Sequence, residues 1–270
     1  MKTIINSFTN ARRIVILLLT LVVSLSSMAF APKRDFYQIK IYHLKAKDQE
    51  TRLDNFLQNA YLPALHRTGI SKVGVFKPII AKDAAVPTDI LVYVFIPFKS
   101  SDDFLKLEKK LMADKQYAID GKDYIDAAYN NVPYARIESI LLSAFTDAPI
   151  FNIPALNSPK SERVYELRSY EGPTEKLYSN KVDMFNKGGE VTLFKRLGFN
   201  AVFYAEVISG GQMPNLMYMT TFENKASRDE HWKSFSGDDY WKKLVAMPEY
   251  QHNVSRNDTR FLYPSDYSDI

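Results

Sequence analysis

From Phe36 onward polar and apolar positions alternate, with Tyr37, Ile39 and Ile41 on one side and Gln38, Lys40 and Tyr42 on the other, which predicts a strand. The period then lengthens. Over Asp48–Arg67 an apolar stripe at Leu53, Phe56, Leu57, Tyr61 and Leu65 predicts a helix that Pro63 should kink or divide and that Gly69 ends. Residues 73–76 and 90–96 read as strands, the second apolar on both faces. Residues 102–117 read as a helix and 135–142 as a fourth strand.

The same order returns in the second half. Val164–Tyr170 is followed by a helical stretch that Gly188 and Gly189 interrupt, then by strands over 200–207 and 216–221, a helical region over 227–244 with a break near Gly237, and a strand over 259–263. The copies align in detail. FYQIKIY (36–42) matches VYELRSY (164–170) at an offset of 128, pairing Lys40 with Arg168 and Tyr42 with Tyr170. ALHRTGISKVGVF (64–76) matches LFKRLGFNAVFYA (193–205), pairing Arg67 with Arg196 and Gly69 with Gly198. LVYVFIPF and LMYMTTF then pair Tyr93 with Tyr218 at an offset of 125. One unit is written twice.

Strand, helix, strand, strand, helix, strand, repeated, is an α+β chain of two tandem ferredoxin-like plaits. Because residues 90–96 are apolar on both faces, both sides of the sheet must be covered, and packing the plaits sheet to sheet as an intrachain dimeric α+β barrel does this. The units run over residues 32–145 and 164–264. A proline-bearing linker at 146–163 is expected to pack through Ile150, Phe151 and Ile153, and 265–270 is a short tail.

Residues 1–31 carry Lys2, Arg12 and Arg13, an apolar run over 14–23 and small residues after it, the pattern of a secretory signal peptide. The run is too short for a comfortable span of the hydrocarbon core, which takes about 20 residues, so no stable membrane span is expected after cleavage. Export changes the charge picture. The whole chain has 35 Lys+Arg against 31 Asp+Glu, and without residues 1–31 the balance is 32 against 31, so nucleic acid is not an expected partner. The absence of cysteine excludes lipid anchoring on an N-terminal Cys, disulfides, thiol chemistry and cysteine metal sites.

YELRSY, FNKGGEVTLFKRLGFNAVFYAE, PNLMYMTTFENKASRDEHWKSF and DDYWKKL together resemble the NIPSNAP domain over residues 164–263, with Tyr165, Tyr170, Arg196, Gly198, Tyr218, Asp229 and Trp241 at the matching places. The first copy is more distant: it lacks the tryptophans and has DKQYAID where the second has DDYWKKL. The resemblance implies the dimeric α+β barrel superfamily and little chemistry, because that family has no generally established activity or cofactor. An exported tandem version is similar to those of some Gram-negative bacteria, which implies a periplasmic or cell-surface location.

The candidate ligand-cavity residues are Lys40, Tyr42, Glu166, Arg168, Tyr170 and Tyr218. If the apolar strand face meets the helices, the polar face with Gln38 points between the sheets, as a polar cavity for a small anionic or aromatic ligand or as a satisfied ion-pair network, Glu166 with Arg168 or with Lys40. His66 and His231 are weaker candidates, since some barrel relatives hold haem through a helical histidine, yet no metal-ligand spacing accompanies them; neither metal nor cofactor is expected. Arg196 is expected at a helix C-terminus, and Trp241, with Asp229, His231, Trp232 and Tyr240, either at a pocket mouth or in the core. No catalytic residue stands out. The sequence supports three functions: a binder of a small molecule or protein partner, as a monomeric pseudo-dimer or homo-oligomer; a cofactor-independent oxygenase- or isomerase-type enzyme; and a structural interaction module of the cell envelope.

Overall fold

The computed structural model describes residues 33–80 and 88–270; the expected signal peptide lies outside them. Eight strands form the sheet: β1 Phe36–Leu44, β2 Gly74–Pro78, β3 Ile90–Phe98, β4 Arg136–Ala144, β5 Val164–Glu171, β6 Asn200–Ser209, β7 Asn215–Phe222 and β8 Arg256–Pro264. Their order is β1-β3-β2-β8-β5-β7-β6-β4, closed into a barrel with every neighbour antiparallel. Each plait supplies four consecutive strands, and the barrel closes where β2 of the first meets β8 and β4 meets β6. Closure leaves no sheet edge exposed.

Helices cover the outside. In the first repeat α1 (Lys47–Phe56), a π turn (Leu57–Tyr61) and α2 (Leu62–Arg67) follow β1, and α3 (Ser101–Ala113), α4 (Lys115–Asp120) and α5 (Lys122–Ile125) follow β3. The π turn lies where Pro63, which has no N–H to donate, would otherwise break the ladder. In the second repeat the positions are taken by α6 (Glu175–Phe185), α7 (Glu190–Arg196), α8 (Lys225–Gly237) and α9 (Asp239–Val245). The expected interruptions fall at Gly188–Gly189 and beside Gly237. One clasp recurs in both copies: Arg67 Nε donates to Asp114 at 2.7 Å and Arg196 Nη2 to Asp238 at 2.8 Å, while each aspartate also caps the next short helix. Both arginines thus tie helices together rather than simply facing a helix terminus.

Three apolar clusters result, one inside the barrel and one under each set of helices. The barrel interior holds Tyr37, Ile39, Phe95, Tyr165, Leu167 and Phe203 among others, so the expected face assignment is reversed. Tyr37, Ile39 and Ile41 look into the barrel, while Tyr42 and the pair Glu166 and Tyr170 lie under helices. The reason is dielectric. Inside a closed barrel a charge has neither water nor a partner, whereas under the helices partners can reach it. β3 is apolar on both sides as expected, Val92, Val94 and Ile96 facing helices and Tyr93 and Phe95 the barrel.

Register corrects a second expectation. Lys40 pairs with Val94 and Arg168 with Tyr218, so the structural counterpart of Tyr218 is Val94, not Tyr93. The slip of one residue turns Tyr93 into the barrel and Tyr218 toward the helices. In the linker only Phe151 of the three expected residues packs, 5.8 Å from Phe95; Ile150 and Ile153 are exposed.

Candidate functional site

β5 presents Glu166, Arg168 and Tyr170 on its helix-facing side, and Tyr218 lies opposite Arg168 on β7. α8 lays Arg228, Trp232 and Phe235 over them, at the spacing that places residues on one helix face. α6 adds Lys181, α7 adds Glu190 and α9 adds Trp241. All of these but Glu166, which lies behind them, surround with Ser236 a cavity of about 350 Å³ between sheet and helices. The chain has two tryptophans, and both line it.

Glu166, fully buried, organises one wall. It accepts from Arg168 Nε (2.7 Å), Arg228 Nε (2.8 Å) and Nη2 (2.9 Å), and Trp232 Nε1 (2.8 Å). Burial alone would raise its pKa, but the Arg228 and Arg168 guanidinium groups outweigh this and hold it below the ordinary carboxylate range. Arg168, so fixed, stacks 3.8 Å from the Trp232 ring centroid and donates through Nη1 to the Tyr170 hydroxyl at 2.9 Å. Its burial, which would lower its pKa, is outweighed by the hydroxyls of Tyr218 and Tyr170 and the carboxylate of Glu166.

The hydroxyls of Tyr170 and Tyr218 are 2.9 Å apart. Tyr218 is wholly buried, a position that pushes its pKa well up, and among the described residues its hydroxyl has only Tyr170 to bond. Either hydroxyl can donate in this pair; where Tyr218 donates to Tyr170, which already accepts from Arg168, the Tyr170 proton is free of the described residues. Arg168 Nη2 likewise makes no bond to the described residues. Both residues line the cavity, and one of them is cationic.

Beside them Lys181 Nζ donates to Glu190 Oε2 at 2.9 Å, both side chains buried, with the ammonium 4.7 Å from the Phe185 ring centroid, 5.7 Å from that of Tyr170 and 5.8 Å from that of Trp241. Glu190 is pushed up by burial, against the pull of Lys181 and Arg168. Its position depends on Gly189, whose φ of +74° is open to glycine and whose Cβ, if present, would meet the Tyr240 hydroxyl at 2.7 Å. Gly189→Ala is accordingly expected to lower stability by about 1–3 kcal/mol in chemical denaturation; an unchanged midpoint would contradict the strained turn.

Of the sequence candidates, Glu166, Arg168, Tyr170, Tyr218 and Trp241 come together here, and the Glu166–Arg168 pair is the ion-pair network, sharing a site with a cavity. Lys40 and Tyr42 lie under the other helices. There Lys40 Nζ sits 5.3 Å and 5.0 Å from the Tyr42 and Tyr61 ring centroids, Tyr124 stacks on Phe56 at 3.7 Å, and Tyr117 and Tyr134 fill the remaining space. His66 bonds Asp269 at 2.8 Å on the surface. His231 Nδ1 donates to the Ser227 carbonyl at 2.7 Å, its ring against Phe199 and Phe222. Arg196 is in the clasp with Asp238. Lys181, Glu190 and Arg228 escaped sequence reasoning. The signals for Lys181 and Arg228 are a lysine four residues after Leu177 and four before Phe185 in an apolar stripe, and an arginine four residues before a tryptophan; Glu190 has none.

Elsewhere, a hollow of about 350 Å³ beside Gly69 has solvated lysines at its rim, and a cleft of about 200 Å³ at one barrel mouth is rimmed by paired charges such as Asp258–Arg260. Among the described residues no group of three or more His, Cys, Asp and Glu could hold a metal ion, and no helix is long and apolar enough to cross a membrane.

Comparison with known proteins falls on the same half of the chain. The NIPSNAP family model matches residues 165–269, the second repeat, which carries the cavity. No curated protein matches the sequence. Among solved structures, a candidate monooxygenase of Fusobacterium nucleatum is 10% identical over 86% of this chain and 93% of its own, with a TM-score of 0.57. One from Lactobacillus acidophilus is 10% identical over 86% and 94%, with a TM-score of 0.52. Neither repeat alone could supply 86% of the chain, so the shared fold is the paired barrel. A NIPSNAP family protein of Agrobacterium tumefaciens is 20% identical over 39% of this chain and 96% of its own, with a TM-score of 0.35.

Proposed function

We propose, from a second repeat that carries a NIPSNAP domain, that this chain is an exported small-molecule-binding protein whose ligand is a planar aromatic anion held in the cavity between β5, β7 and helices α6 to α9. The observation that carries the reading is that Arg168, Tyr170 and Lys181 line one cavity together with Trp232 and Trp241. An anion there meets donors held in place by Glu166 and Tyr218, and a flat ring meets aromatic side chains, Trp241 and Phe235 among them. The site acts without a resident cofactor, and its occupant reaches it in the periplasm or at the cell surface of a Gram-negative bacterium. Nucleic acid is not a partner.

The first repeat serves as the structural half. Its equivalent space is occupied by tyrosines, and its strands complete the barrel on which the second repeat's site is built.

Both tryptophans line the cavity, so intrinsic fluorescence reports its occupancy. Phenylacetate is expected to quench it saturably, and neutral 2-phenylethanol to bind at least about tenfold more weakly, the loss of one charge-assisted contact. Arg168→Leu, checked for folding by circular dichroism, should abolish the preference for the anion. Equal binding of acid and alcohol by the unaltered protein would overturn the reading.

A further inference from the structure

Glu190 has a part in the cavity that anion binding does not use. It is 2% exposed, it accepts from Lys181 through Oε2, and Oε1 accepts no hydrogen bond among the described residues although the side chain lines the cavity. A carboxylate in an anion site is unfavourable for binding, and an apolar residue would pack there at lower cost. Its burial raises its basicity, and Lys181 keeps it from being a bare buried charge. Arg168 and Tyr170 line the same cavity and bring N–H and O–H donors that would stabilise negative charge on a ligand oxygen. A base and two oxyanion donors lining one aromatic cavity are the groups enolisation requires.

We propose that Glu190 is a catalytic base that takes a proton from the carbon beside the carbonyl of an aromatic oxo acid, a role that rests on the anion-binding reading above. The C–H bond breaks and its proton passes to a Glu190 oxygen. The electron pair becomes the C=C bond of the enolate, and the carbonyl π pair moves to oxygen, where Arg168 and Tyr170 hold it. Return of the proton to oxygen gives the enol and return to carbon gives back the oxo acid; no oxidant, reductant or metal enters the balance. Trp241 and Phe235 hold the ring, and Glu166, which touches neither base nor oxyanion, is a positioning residue for Arg168.

Phenylpyruvate is the probe, with deuterium exchange at its methylene carbon followed by proton NMR in D₂O and binding followed in parallel by tryptophan fluorescence. The protein is expected to raise the exchange rate on the order of 10²-fold over buffer. Glu190→Gln should return it to the buffer rate while phenylacetate still binds. Because that variant leaves Lys181 buried without its partner, the double variant Glu190→Gln/Lys181→Met, which removes both charges, provides a second folded protein that should also lack exchange. Binding of phenylpyruvate with exchange at the buffer rate, or exchange retained in either variant, would overturn the base and leave the binding reading intact. Absence of binding by phenylpyruvate and phenylacetate alike would overturn both.

Discussion

Glu166→Gln should cost about 3–5 kcal/mol, the largest loss expected from any single polar substitution in this chain, and lower the melting temperature by roughly 10 °C. The amide keeps the shape but carries no charge, and its NH₂ group must face a donor, because Arg168, Arg228 and Trp232 all donate to this position. The buried Arg168 guanidinium is then left without a counter-ion, and Arg228 keeps only the half-exposed Asp229. The effect should depend on pH in a definite sense. The folded-state pKa of Glu166 lies below that of the unfolded chain, so its stabilisation is complete above the unfolded value, about 4.3 for a glutamate, and is lost as pH falls through the folded value. Glu190 works the other way: its raised pKa costs stability above the folded value, and that cost fades as pH falls toward the unfolded one. Urea titrations between pH 3 and 7 should therefore show the deficit of Glu166→Gln shrinking below about pH 4. A deficit that is the same across the range would mean the carboxylate is not the organising charge.

Phe95→Ala should have an effect of similar size for a different reason, about 3–5 kcal/mol from the cavity it opens in the barrel. Phe95 stacks on Phe203 with centroids 5.0 Å apart and lies 5.3 Å from Tyr37 and 5.8 Å from Phe151, so its ring joins β1, β3, β6 and the linker. Closure by backbone hydrogen bonds at the β2–β8 and β4–β6 seams prevents the walls from collapsing into the space left behind. Leu105→Ala, at a position 72% exposed on α3, should stay within about 0.5 kcal/mol. If the two variants differed by less than about 1 kcal/mol in denaturant midpoints converted to free energy, the interior would not be filled as described.

The two repeats show how one architecture is kept while its chemistry is confined to one half. Lys40 and Arg168 occupy equivalent strand positions, as do Tyr42 and Tyr170. In the second repeat Trp232, Lys181, Glu190 and Trp241 surround open space. In the first, Tyr61, Tyr117, Tyr124 and Tyr134 fill it. The first repeat carries no glutamate at the place of Glu166, where Gln38 instead donates to the Ser139 hydroxyl at 2.8 Å.

Much of this was legible along the chain. Period-two and period-3.6 stretches located every strand and the main helices, the internal match showed one plait written twice, and the apolar run of β3 required cover on both faces, because these are local consequences of backbone geometry and burial. The same reading singled out Glu166, Arg168, Tyr170 and Tyr218. What it left undetermined was direction and company. Alternation shows which residues share a face but not which side that face takes; closure of the barrel decides it, turning the polar face of β5 out to the helices, where charged partners can reach it. A one-residue difference in register, carried by a loop of unequal length, turned Tyr93 from the apparent equivalent of Tyr218 into a barrel residue. Lys181, Glu190 and Arg228 come from three helices, α6, α7 and α8, and only packing brings them within reach of one cavity, since nothing local in sequence records which helices will share a roof.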